Sequence, residues 1–295
     1  MTPLLCFVWF SLFYLVQAVP GPIPLTGNTA VHDPTVCKDS TGKYWAFATG
    51  AGLTIRTSPD RKNWTRIGSV FPNGVPWATK YNHETPTVLW APDCNYINGK
   101  FWVCTPELFG HLTLLLKSSG IVAILFGIEY RKSRRMSNDP HGNKWYLSFG
   151  SYWSGIKLTS INPVTGKPTG NLTSLSKRTA NGGAEEASAI FKYGNYFYLF
   201  TSWDHCCRGV SSDYNIRVGR STSIKGPYKD RNGVALLSGG GSLVLASHDG
   251  IHGPGGQDLL RDKDGPILVY HYYTANGSFL GLNRLNFTSG WPVVI

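Results

Sequence analysis

The sequence predicts an all-β fold, a five-bladed β-propeller, and three observations carry that reading. The 295 residues hold 13% aromatics, 34 glycines and 18 prolines, with few long helical patterns. A turn followed by an aromatic strand recurs five times along the chain. The copies are spaced from the mid-forties to about seventy residues apart, which suits four-stranded blades around an axis. A β-sandwich is the alternative, but it requires no repeated signature.

The five copies run in order. They are Gly42-Lys43-Tyr44-Trp45, Asn98-Gly99-Lys100-Phe101-Trp102, Gly142-Asn143-Lys144-Trp145-Tyr146, Gly194-Asn195-Tyr196-Phe197-Tyr198 and Asp264-Gly265-Pro266-Ile267-Leu268. Each glycine suits the positive φ of a tight hairpin, and each following strand alternates apolar and aromatic residues. In a propeller the segment before such a hairpin is the innermost strand. Asp33 stands nine residues before Gly42, Asp93 six before Gly99 and Glu186 eight before Gly194. The repeat therefore points several acids at one central site.

The length fits one repeat-built domain over residues 19–295. Residues 1–18 are apolar, and Val16-Gln17-Ala18 presents small residues where a signal peptidase reads. A secretion signal is expected there. An uncleaved anchor is the competing reading, but the run is short for a span and breaks into Val19-Pro20-Gly21-Pro22. Sequons at Asn63, Asn171, Asn276 and Asn286 agree with an extracellular, glycosylated protein.

Beyond Cys6 the cysteines are Cys37, Cys94, Cys104, Cys206 and Cys207. Their spacing does not resemble a zinc site, and the adjacent pair is a poor chelate. They read as buried thiols with one possible disulfide. The net charge of +11 is concentrated partly in Lys117, Arg131, Lys132, Arg134 and Arg135, and no nucleic-acid recognition motif accompanies it. A basic secreted protein can be attracted to an acidic polymer such as pectin, or simply carry a solvated basic surface. A monomer with no nucleic-acid partner and no stable membrane association is expected.

Cleavage of a glycosidic bond needs one carboxylic acid to protonate the leaving oxygen and a second carboxylate to activate water or attack the sugar. Asp33 and Glu186 occupy equivalent places in the repeat and could face each other across a pocket. Apolar neighbours in Ala184-Glu185-Glu186-Ala187 would raise the Glu186 pKa, as an acid catalyst requires, while Glu185 would point the other way on a strand. Trp90 and Trp153 are candidate stacking surfaces for a sugar ring.

These residues carry a resemblance to glycoside hydrolase family 43, and most to its fungal endo-1,5-α-L-arabinanases. The stretches that carry it are Val31-His32-Asp33-Pro34, Leu89-Trp90-Ala91-Pro92-Asp93, residues 145–156, Glu186-Ala187-Ser188, residues 198–204, Cys206-Cys207-Arg208-Gly209 and Gly253-Pro254-Gly255-Gly256. The resemblance implies a five-bladed propeller that inverts at the anomeric carbon while hydrolysing α-1,5-linked arabinan. It implies Asp33 as general base and Glu186 as general acid, with no cofactor required. Arabinofuranosidase or xylosidase activity is the sibling reading, and an impaired arabinan-binding propeller is another. His271 resembles an axial histidine that holds a metal or water cluster, so a calcium ion near the axis is implied. A core histidine capped by a carbonyl is the competing reading.

The chain departs from the family in one place. A third carboxylate, which tunes the acid, should lie eight or nine residues before Gly142, where Ser133 and Arg134 stand. Asp139 lies three residues before that glycine, an offset that suits the turn. Residues 104–138 also lack the alternation of their neighbours. Either an intron has been read through and an exon lost, or the stretch is a real insertion. We expect the transcript to depart from residues 104–138 as written; a message that encodes them would establish the insertion.

Overall fold

The computed structural model describes residues 18–75, 88–107, 113–116, 121–127, 134–138 and 144–295. The expected signal segment therefore lies almost entirely outside the described residues. Within them the chain is all-β, and its helical segments are three short 3-10 turns at Asn181–Gly183, Gly209–Ser211 and Leu236–Ser238.

The strands follow the repeat. The first sheet uses β1 (Thr26–Gly27), β2 (Thr35–Lys38), β3 (Tyr44–Ala48), β5 (Thr54–Ser58) and β6 (Asn63–Ser69), in the order β1-β6-β5-β3-β2. A short β4 (Gly50–Ala51) pairs instead with β7 (Val88–Leu89). The second sheet holds β8 (Asp93–Ile97), β9 (Lys100–Glu107), β10 (Thr113–Leu116) and β11 (Ile121–Gly127). The third holds β12 (Arg134–Asn138), β13 (Trp145–Phe149), β14 (Ile156–Ile161) and β15 (Thr173–Ser176). The fourth holds β16 (Glu185–Tyr193), β17 (Tyr196–Trp203), β18 (Asn215–Ser221) and β19 (Ser242–Leu245). The fifth holds β20 (His252–Asp262), β21 (Gly265–Thr274), β22 (Gly277–Asn286) and β23 (Val293–Val294).

Each signature turn among the described residues joins the first two main strands of a sheet. At Asn98-Gly99 both residues have positive φ, 52° and 77°, as a two-residue hairpin whose twist matches its strands demands. The first strands are mutual neighbours in a closed cycle: β2 beside β8, β8 beside β12, β12 beside β16, β16 beside β20, and β20 beside β2. The apolar core is divided in the same way. Phe47 and Val103 pack between the first and second sheets, Cys104 and Leu147 between the second and third, and Leu158 and Leu199 between the third and fourth. Phe200 and Leu268 pack between the fourth and fifth, and Ala46 and Val269 between the fifth and first. Strands sandwiched between sheets bury both faces, which is why their sequences read as near-continuous apolar runs.

The second sheet breaks the pattern. The third, fourth and fifth sheets are antiparallel meanders in sequence order, and the first is one from β2 to β6 with β1 added in parallel, but here β11 pairs with β9 in parallel and β10 lies outside it. A parallel pair needs a crossover rather than a hairpin, and the crossover falls within residues 104–138, where the alternation is missing.

Two disulfides correct the expectation of buried thiols with one possible bridge. Cys37 and Cys94 lie on the adjacent strands β2 and β8 with Cα atoms 6.0 Å apart, and they join the first sheet to the second. Cys206 and Cys207 form a bridge between neighbouring residues, and Cys104 is buried between the second and third sheets.

The fifth and first sheets also share a charged cluster. Lys38, Arg61 and Tyr44 all donate to Asp262, and Arg61 also grips Asp264 through two 2.8 Å bonds. Burial would raise the Asp262 carboxyl, but the bonds from Lys38, Tyr44, the Lys263 amide and Arg61 outweigh it and hold the pKa at about 2. An acid held below its unfolded value stabilises the fold above that value and loses the contribution as pH falls through the folded one. Urea unfolding should therefore weaken by roughly 1–2 kcal/mol as pH drops from about 4 to 2, and Asp262→Asn should flatten that dependence.

Candidate active site

Asp33 precedes β2 with a φ of 45°, and its side chain is buried. The residue is held in the left-handed region, which costs energy for a non-glycine and marks a position fixed by its surroundings. Those surroundings are explicit. The Asp33 amide donates to His271 Nδ1 at 3.1 Å, and Thr49 Oγ1 donates to Asp33 Oδ2 at 3.1 Å. His32 Nδ1 lies 2.9 Å from Asp33 Oδ2, and the His32 ring stacks on that of His271 at 3.9 Å. Thr49 in turn accepts from the Ala91 amide, so the Trp90-Ala91 segment is tied to the same carboxylate.

Glu186 is the second residue of β16 and is 3% exposed. Pairing with β17 runs Glu185↔Trp203 and Glu186↔Ser202, then resumes at Ala189↔Phe200. The extra residue is a β-bulge at Ala187-Ser188, with Ala187 at φ 54°. The bulge is pinned from the fifth sheet, where Gln257 Nε2 donates to the Ala187 carbonyl. Both oxygens of Glu186 have partners: Tyr214 Oη donates to Oε1 and Ser151 Oγ to Oε2, each at 2.8 Å. Glu185 points the other way, as strand alternation predicts. It is fully buried among Ser176, Trp203 and the Arg178 amide, and burial raises its pKa.

The two carboxylates share one electrostatic neighbourhood. Burial first, then the charges of Glu186 and Asp33, push the Tyr214 hydroxyl well above its ordinary range. Tyr273 is pushed up to about 12 by burial, with both acids adding to the shift. Asp33, Asp93, Ala187, Gly256 and Asp258 line a cavity of about 30 Å³, enough for a water-sized guest. Asp93 thus stands where its repeat offset predicts.

The structure places Trp153 62% exposed beside Tyr152, whose own hydroxyl is raised by burial and by the Glu186 charge. An open indole close to Glu186 is a suitable face for a sugar ring. Trp90 is half-buried at the Asp33 side. His271 is fully buried under Asp33. Asp139 lies outside the described residues. β12 lies between β8 and β16, and Arg134 is its first residue.

Sequence reasoning missed Tyr214, Ser151, Tyr273, Thr49 and the role of His32. Ser151 and His32 lie inside stretches that carry the family resemblance, so both were within reach. Tyr214 arrives from a connection between hairpins and has no repeat address.

Gly256 shows how tightly this centre is packed. It has φ 57°, and a β-carbon there would come within 2.5 Å of Asp33 Oδ1 and 2.8 Å of His271 Nδ1. Gly256→Ala should lower thermal stability by about 1–3 kcal/mol and depress turnover together; calorimetry and a rate assay on one preparation check both.

Comparison with known proteins agrees with this geometry. The sequence profile of glycosyl hydrolases family 43 matches residues 25–121 and 136–292. The extracellular endo-α-(1→5)-L-arabinanase 1 of Bacillus subtilis is 40% identical over 303 residues, covering 94% of this chain and 92% of its own length. The probable arabinan endo-1,5-α-L-arabinosidase A of Emericella nidulans is 34% identical, covering 93% and 94%. The bacterial likeness thus exceeds the fungal one that the motifs suggested. The solved GH43 endo-arabinanase from Bacillus licheniformis superposes with a TM-score of 0.78 at 36% identity, over 92% of this chain and 99% of that one. On the profile match and these identities, the chain belongs to glycosyl hydrolases family 43.

Proposed function

We propose that this chain is a secreted glycosidase that hydrolyses α-1,5-linked arabinan with inversion at the anomeric carbon. The observation that carries the reading is the pair Asp33 and Glu186: both buried, both held by named donors, and both acting on the same Tyr214 hydroxyl. Glu186 in its protonated form delivers a proton to the leaving glycosidic oxygen, with Ser151 and Tyr214 fixing its carboxyl plane. Asp33 takes a proton from water as that water attacks the opposite face of the sugar. Trp153, and Trp90 on the Asp33 side, supply π-faces for arabinose rings. The extracellular Bacillus relative supports secretion. Among the described residues, no helix is long and apolar enough to cross a membrane.

The cyclic neighbourhood of the five inner strands, with a core cluster between each successive pair of sheets, supports a five-bladed propeller. His32, Asp33 and His271 bring donor atoms within 4.8 Å of one another. Two imidazoles and one carboxylate are a poor match for calcium, which takes six to eight oxygens, so these side chains do not fit a directly held calcium ion. Calcium there would sit behind a water shell, and no step of the reaction is routed through it.

Asp33→Asn and Glu186→Gln should each lower release of reducing ends from linear arabinan by at least about a hundredfold while the fold persists by circular dichroism. NMR of the first product should show the inverted anomer. A retained anomer would overturn inversion, and arabinan binding without cleavage by the unaltered chain would overturn the hydrolase reading.

A further inference from the structure

The Cys206-Cys207 bridge lies on the rim of the site, and a continuous line of hydrogen bonds connects it to Asp33. The Cys207 amide donates to Tyr273 Oη at 3.0 Å. Tyr273 Oη lies 2.7 Å from His32 Nε2, and His32 Nδ1 lies 2.9 Å from Asp33 Oδ2. The direction of the line is set by its ends. An amide can only donate, so the Tyr273 oxygen accepts from Cys207, and a carboxylate can only accept, so a neutral His32 ring that donates Nδ1–H to Asp33 takes the Tyr273 proton at its other nitrogen. That makes Nε2 the acceptor and places the ring proton on Nδ1, aimed at the carboxylate. Tyr273, held up at about 12, keeps its proton at neutral pH and remains a donor.

Cys207 itself has φ 68°, a conformation that a non-glycine residue holds only when its surroundings impose it. Closing the side chains of adjacent residues into a small covalent ring is such an imposition. The Cys207 sulfur also packs 3.8 Å from His32 Nε2. The bridge therefore touches the relay at its amide end and at its imidazole.

We propose that the Cys206-Cys207 bridge is a positioning element for the general base, acting through Tyr273 and His32 to fix the orientation of the Asp33 carboxylate. The proposal rests on the assignment of Asp33 as base. The bridge and Tyr273 touch neither substrate nor water in this scheme, and their effect reaches the reaction only through His32. Opening the bridge consumes two electrons and two protons and leaves two thiols. It frees the Cys207 peptide and removes the direction from the relay, so a reducing thiol would act as an external brake on the base.

The test uses the full chain. In 15N NMR the His32 ring, assigned by its loss in His32→Gln, should show a protonated Nδ1 and an unprotonated Nε2. Tyr273→Phe and the double variant Cys206→Ser/Cys207→Ser, which leaves Cys37–Cys94 intact, should each lose that signature. Both should lower kcat by about ten- to a hundredfold with little change in KM, the mark of a misplaced group rather than a lost binding contact. An unchanged His32 ring, or an unchanged kcat, in both variants would overturn the proposal. Asp33→Asn separates the two layers. If Asp33→Asn keeps full turnover, the base assignment fails; if it is inactive while Tyr273→Phe keeps full turnover, the relay alone fails.

Discussion

One buried carboxylate organises the centre of this protein. Asp258, on the innermost strand of the fifth sheet, is 3% exposed and cannot remain there without partners. It takes them from the first sheet: the Thr35 hydroxyl at 2.6 Å and the Val36 amide at 3.2 Å. The Thr35 oxygen then accepts from the Cys94 amide on the second sheet at 3.0 Å. A single hydroxyl thereby registers three sheets against one another. Asp33 sits two residues before Thr35 and Asp93 one residue before Cys94, so the acids around the central cavity inherit their places from that junction. If Asp258 lost its donors, the unpaired charge would force the three strands apart, and the catalytic geometry would go with them.

Much of this was legible in the sequence, because the repeat couples a visible signal to an invisible position. A hairpin glycine announces itself by composition, and strand geometry then fixes what lies eight or nine residues upstream. That is how Asp33, Asp93 and Glu186 could be assigned to one centre without any structure. The coupling fails where the chain leaves the strand. Tyr214 and Tyr273 hold or face the acids through long-range contacts that no local period encodes. The bulge at Ala187 was equally hidden, since nothing in Glu-Glu-Ala-Ser says which residue will be left unpaired. The cysteines misled for a different reason. An odd count and the absence of a metal spacing argued for thiols, whereas pairing depends on which strands become neighbours.

The stretch around residues 104–138 separates what the fold requires from what it tolerates. Its sequence does not alternate, and its sheet answers with a parallel pair and a displaced strand. Yet β8 and β12 still stand in the inner cycle, each hydrogen-bonded to a strand, β9 or β13, whose side chains pack between sheets. Phe101 and Val103 bury against the first sheet, and Cys104 packs against Trp145 and Leu147 of the third. The disturbance falls on the outer strands, apart from the third acid's position. Glu186 is held by two hydroxyls, Tyr214 and Ser151.

The segment before β2 has a different kind of importance. Ile23 and Val31 donate their amides to Leu282 and Ser278, and Leu280 donates to Thr29, so this early stretch lies along β22. The same stretch reaches back to the first sheet, where Arg56 binds the Asn28 and Ala30 carbonyls and β1 pairs with β6. The residues that join the fifth sheet to the first thus find their partners far along the chain. Until residues 278–282 have been made, the edges of the first and fifth sheets remain open. Closure across that sequence distance is the slow, entropically costly kind of contact, and the waiting chain exposes strand edges that invite association. Folding of this enzyme is then a race between closure of its own sheets and pairing with its neighbours.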